Sequence, residues 1–108
     1  MKYNWKIPVR DFLRTAHKHG LRPVAVNNGG GWQYTPTAAL AVAEIDATDE
    51  SHVHFEHTDG KRIIAFLVLG NEPAELVADY STHPAIDAAT EEHYNNWEGK
   101  PCPTTKEP

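Results

Sequence analysis

The stretch that decides the fold is His52-Val53-His54-Phe55-Glu56-His57, then Thr58-Asp59-Gly60-Lys61, then Arg62-Ile63-Ile64-Ala65-Phe66-Leu67-Val68-Leu69. From His52 to Glu56 polar and apolar residues alternate, the period of a strand with one buried face. The segment from Arg62 onward is rich in β-branched, aromatic and aliphatic side chains and reads as a second strand. Asp-Gly is a favoured type I′ hairpin pair because both central residues of that turn need positive φ. A two-residue Asp59-Gly60 turn pairs Thr58 with Lys61. Counting outward then sets Phe55 opposite Ile64, His54 opposite Ala65, Val53 opposite Phe66 and His52 opposite Leu67. In that register Val53, Phe55, Ile64, Phe66 and Val68 form the core face. The other face carries His52, His54 and Glu56 opposite Leu67, Ala65 and Ile63. An apolar row on the nominal solvent face calls for a cover, either a helix, another strand or a second subunit. A slip of one residue exchanges the two faces.

Upstream, residues 8–19 read as a helix. Pro8 suits the first helical position, Val9, Phe12, Leu13 and Ala16 form one apolar stripe, and Gly20 suits the position after the C-cap. Residues 23–27 and 32–34 read as two short strands of a loose hairpin around Asn28-Gly29-Gly30-Gly31. Thr35 as cap and Pro36 as first residue open a second helix whose core face is Ala38, Ala41, Val42 and Ile45. Downstream, residues 73–81 fit a short helix or a further strand, with a helical turn at 73–77 the preferred reading. The last helix starts near Pro84, with Thr82 or His83 as cap. It runs to Trp97 with Ile86, Ala89, His93 and Trp97 on one side, and Gly99 ends it. Residues 1–99 thus read as one domain and 100–108, with three prolines, as a flexible tail. The expected fold class is α+β: an antiparallel sheet of three to four strands with two to three helices packed mainly on one face.

The segment Leu67-Val68-Leu69-Gly70-Asn71-Glu72-Pro73-Ala74-Glu75-Leu76-Val77-Ala78-Asp79-Tyr80 resembles one found in small proteins of phages, prophages and plasmids, in which a hairpin ends in a Gly-Asn-x-Pro-x-Glu turn followed by an Asp-Tyr pair. The acidic link at 46–50 is similar too, so the resemblance covers about residues 40–80. It implies an accessory protein of mobile-element origin and brings no catalytic residue with it.

Composition bounds the function. The 108 residues are 40% hydrophobic and 23% charged, which fits one globular domain. The single Cys excludes an internal disulfide framework and a four-Cys zinc site. No apolar run reaches the roughly 20 residues that span a bilayer, and the N-terminus has no apolar signal core, so no membrane partner and a cytoplasmic location are expected. The net charge of −5 argues against a nucleic-acid partner. Seven histidines stand out: protonating all of them would take the formal charge from −5 to +2.

Two groups of residues are candidates for a site. His52, His54 and Glu56 share one strand face and offer two imidazoles and a carboxylate to zinc or iron. Three successive same-face residues of one strand would have to converge, and a solvated polar face is the plain alternative. His57 points to the opposite face in this reading. The second group is an interface: Trp32, Tyr34, Tyr94 and Trp97 as an aromatic edge, with Ile63, Ala65 and Leu67 as the apolar row. The Asn28–Gly31 turn lacks the Lys and Ser/Thr of a phosphate loop, and Cys102 has no activating neighbour beyond Lys100. No catalytic residue and no cofactor are assigned. The leading expectation is a non-enzymatic accessory or regulatory protein that binds another protein or itself. A metal- or ligand-binding enzyme using the His/Glu strand face and a homodimeric module are the alternatives.

Overall fold

A computed structural model describes residues 2–105. In chain order the elements are β1 (Lys2–Tyr3), α1 (Lys6–Lys18), β2 (Leu21–Asn27), β3 (Trp32–Tyr34), α2 (Ala38–Asp46), β4 (Glu50–His57), β5 (Arg62–Val68), a 3-10 turn (Pro73–Glu75), β6 (Val77–Tyr80), α3 (Pro84–Trp97) and β7 (Thr104–Thr105). The fold is α+β. Five strands form one antiparallel sheet in the order β3-β2-β4-β5-β6, one more than the upper end of the expected range, and β1 pairs with β7 apart from it. The additional strand comes from the ambiguous segment. Pro73 starts a single 3-10 turn, and the chain then straightens into β6 along the edge of β5.

The helices form where the apolar stripes lie. Val9, Phe12, Leu13 and Ala16 of α1, Ala41, Val42 and Ile45 of α2, and Ile86 and Ala89 of α3 are all buried in one core with the inward residues of the sheet. α1 begins two residues before Pro8, which therefore sits in the first turn, where an N–H has no intrahelical partner and its absence is tolerated. α2 begins later than expected, at Ala38. The Thr35 N–H still bonds the Val24 carbonyl at 2.8 Å, so the chain remains tied to β2 up to that point. Thr37 is the cap, its Oγ1 accepting from the Leu40 N–H at 3.3 Å. α3 is capped by the His83 ring, whose Nδ1 accepts the Ala85 N–H at 3.0 Å.

The central hairpin corrects the expected register. Phe55 pairs with Ile63, His54 with Ile64, Val53 with Ala65 and His52 with Phe66, a shift of one residue. The cause is the turn. The His57 N–H bonds the Lys61 carbonyl, so the loop holds three residues, 58–60. Gly60 has φ +88° while no residue other than glycine has positive φ among the described residues, which excludes the type I′ conformation at Asp59. A type I turn followed by a left-handed glycine is the common three-residue alternative. The shift exchanges the faces of β5. Ile63, Ala65 and Leu67 are fully buried in the core, not an exposed row, whereas Ile64, Phe66 and Val68 lie on the other face, half-buried. The expected interface row and the homodimer contact built on it are therefore core.

Beyond Gly99 the chain turns back along its own start. The Asn4 N–H bonds the Pro103 carbonyl at 2.7 Å, Lys2 and Tyr3 pair with Thr105 and Thr104, and Cys102 is buried between them, where desolvation pushes its thiol pKa up. Of the segment expected as a flexible tail, residues 106–108 lie outside the described residues. No helix among the described residues is long and apolar enough to cross a membrane.

Candidate functional site

Among the described residues, all three helices cover the core face of the sheet and none lies on the opposite face. That open face is built from alternate residues of each strand: Trp32 and Tyr34 of β3, Ala25 and Asn27 of β2, His52, His54 and Glu56 of β4, Ile64 and Phe66 of β5, and Asp79 of β6. Trp32 is 44% and Tyr34 73% exposed, far above what a packed aromatic shows. Trp32 leans inward from the edge strand and meets the His54 ring edge-to-face at 6.3 Å, with the Arg62 guanidinium 5.9 Å from its centroid. His52 stacks on Phe66 at 4.6 Å. The His52–Phe66 stack is a ridge between two shallow hollows, one toward Asn27, Asp49 and Glu50, the other toward Ile64, Asp79 and Tyr80.

His52, His54 and Glu56 do share this face, but each takes a different neighbour. His52 stacks on Phe66, His54 meets Trp32, and Glu56 accepts a hydrogen bond from Arg22 Nη2 at 2.8 Å. Desolvation, then the Arg62 charge, lowers the His54 pKa, with Glu56 opposing more weakly, so its ring is neutral at pH 7. The aromatic residues expected to form one edge separate into two regions. Trp32 and Tyr34 lie at the β3 edge, whereas Tyr94 and Trp97 belong to α3, which packs on α1 and on the chain next to the opposite edge strand β6. Tyr94 is exposed, and Trp97 donates its indole N–H to Asp11 at 2.8 Å, tying α3 to α1.

A second cluster escapes the sequence reading. His57 at the end of β4, Asp59 in the hairpin turn and His83 at the start of α3 bring their ring nitrogens and carboxylate oxygens within 4.8 Å of one another. His83 Nε2 lies 2.9 Å from Asp59 Oδ2 and His57 Nδ1 lies 3.0 Å from Asp59 Oδ1. The hydrogen bond from His83, then that from the Lys61 N–H, holds the Asp59 carboxyl far below the usual carboxylate range. Gly20 permits the cluster to close: at φ +81°, an added Cβ would stand 3.1 Å from His57 Nε2. The one local clue is the i, i+2 spacing of His57 and Asp59 across a turn, since nothing in the sequence links either to His83.

Compared with family models, with curated proteins and with solved structures, the chain matches none.

Proposed function

We propose that the protein is a small accessory or regulatory protein that acts by docking another protein chain on the helix-free face of its sheet. The observation that supports this reading is the row Ile64, Phe66 and Val68. These apolar side chains stand half-buried on a five-stranded sheet with no helix over them, beside an exposed Trp32. Apolar and aromatic side chains grouped on an otherwise polar face are the pattern of a docking site. The charges around them favour a protein over a nucleic acid. Asp49, Glu50 and Asp79 border the two hollows and would repel phosphates, while Arg22 and Arg62 stand at the other end of the face. The likeness of residues 67–80 to small proteins of phages and plasmids is in keeping with an accessory role. A metal-dependent reaction at His52, His54 and Glu56 has less support, because the two rings and the carboxylate turn to three different neighbours and are not among the described groups that converge.

The test is site-specific photo-crosslinking in the host cell. A photoreactive phenylalanine is placed at Phe66, at Trp32 and, on the helical side, at Arg14, whose side chain is 70% exposed. The proposal expects Phe66 and Trp32 to capture the same second protein and Arg14 to capture none. Adducts to a second copy of this chain would replace the reading with self-association. No adduct from the sheet face, or the same one from all three positions, would overturn it.

A further inference from the structure

We propose that His57, Asp59 and His83 form a binding site for a zinc ion, separate from the open sheet face. Two imidazole nitrogens and a carboxylate oxygen are a donor set that zinc takes with a fourth position left for water. Zinc stands about 2.0–2.2 Å from such donors, so neighbouring donors around a tetrahedral ion lie about 3.3 Å apart. His57 Nδ1 lies 3.0 Å from Asp59 Oδ1 and His83 Nε2 lies 2.9 Å from Asp59 Oδ2, and one ligand atom from each of the three residues falls within 4.8 Å of the other two, so small side-chain rotations would bring the three donors to that spacing. His57 is already oriented for the task. Its Nε2–H donates to the His19 carbonyl at 3.1 Å, which leaves the Nδ1 lone pair facing the carboxylate. That lone pair now accepts the Asp59 N–H at 3.2 Å, a long contact. The rings are held in place, with side chains 18% and 9% exposed, and the carboxylate side opens to solvent at 38%.

His83 gives the site a distinctive signature. Its Nδ1 now accepts the Ala85 N–H, so its proton sits on Nε2 and is donated to Asp59. Ligation through Nε2 moves that proton to Nδ1, and the Ala85 N–H loses its acceptor. Zinc uptake is therefore coupled to the first turn of α3. Asp59 Oδ1 also accepts the Lys61 N–H at 2.8 Å, a bond that holds the turn and remains compatible with ligation through its second lone pair.

The experiment uses untagged, chelator-stripped protein titrated with zinc chloride by calorimetry and with cobalt(II) by visible absorption. It compares wild type, His57→Ala and His83→Ser, in which the serine keeps a capping oxygen for α3. The expected result is one zinc per chain, tetrahedral cobalt bands, and binding weaker by roughly 100-fold or more in both variants. Amide spectra of the wild type alone locate the ion, with shifts on zinc addition concentrated at residues 57–59 and at Ala85. No uptake by wild type, shifts centred on other histidines, or equal uptake by folded variants would overturn the proposal.

Discussion

The imidazole of His52 lies nearly flat on the ring of Phe66, centroids 4.6 Å apart and planes inclined by 30°, on the sheet face that no helix covers. The next residue along the strand, Leu67, is fully buried on the other face. Adjacent positions therefore answer to opposite environments. Leu67→Ala is expected to lower the unfolding free energy by about 2–5 kcal/mol, the range for cavity formation in a core. Phe66→Thr, which keeps a β-branched residue at a half-buried site, is expected to lower it by about 1 kcal/mol. Urea unfolding of both variants checks this, and a larger loss at Phe66 would restore the rejected register.

Gly60 holds that register. At φ +88°, Gly60→Ala places a Cβ in the left-handed region and is expected to destabilise by about 1–2 kcal/mol. Gly60→Asn, the side chain best tolerated there, is expected to lose less than half as much. Thermal unfolding followed by circular dichroism ranks the two.

Acidification should loosen the fold before the carboxylates titrate. The pKa of His93 is lowered by burial, and that of His54 by burial and then by the Arg62 charge, both from an ordinary value of 6.5. The unfolded chain therefore binds more protons than the folded one just below pH 6.5. Stability is full above that value and declines as the pH falls toward the depressed folded values. Asp59 and Glu92, depressed by their hydrogen-bond partners, extend the loss to lower pH. Urea midpoints measured from pH 7.5 to 5 should fall steadily, and a midpoint that rises on acidification would contradict the neutral assignment of both rings.

His93 also carries a buried bond. Its Nε2–H donates to the Pro73 carbonyl at 2.8 Å, joining α3 to the 3-10 turn that leads into β6, while its Nδ1 has no partner. His93→Leu keeps the apolar contact with Phe12 but leaves a buried carbonyl without a donor, and is expected to destabilise by about 1–3 kcal/mol. Hydrogen exchange should show the loss first at the Val68 N–H, which bonds the Leu76 carbonyl beside that turn.

How far the sequence could be read follows from the range of each signal. The stripes of Val9, Phe12, Leu13 and Ala16 and of Ile86, Ala89 and His93 recur within one or two helical turns, so they were legible and are buried as expected. The alternation from His52 to Glu56 was legible for the same reason. The register was not, because the local conformation of Thr58 and Asp59 separates a two-residue from a three-residue turn, and Asp-Gly fits both. Leu76 and Val77 end a turn and begin a strand within two residues, too short a span for either period to show. The pairing of His57 and Asp59 with His83 depends on where α3 docks against the hairpin, and the chain between Asp59 and His83, 24 positions apart, carries no trace of that.

The pairing of β1 with β7 brings the two ends of the described chain side by side, Lys2 against Thr105. In such a molecule the order of the elements is separable from their arrangement in space. A short linker could join the ends and new ends could be opened in the exposed turn at 29–31, with every strand pairing of the main sheet kept. Only the order in which the pieces leave the ribosome would change, with the capped helices and the central hairpin made before the segment that now comes first.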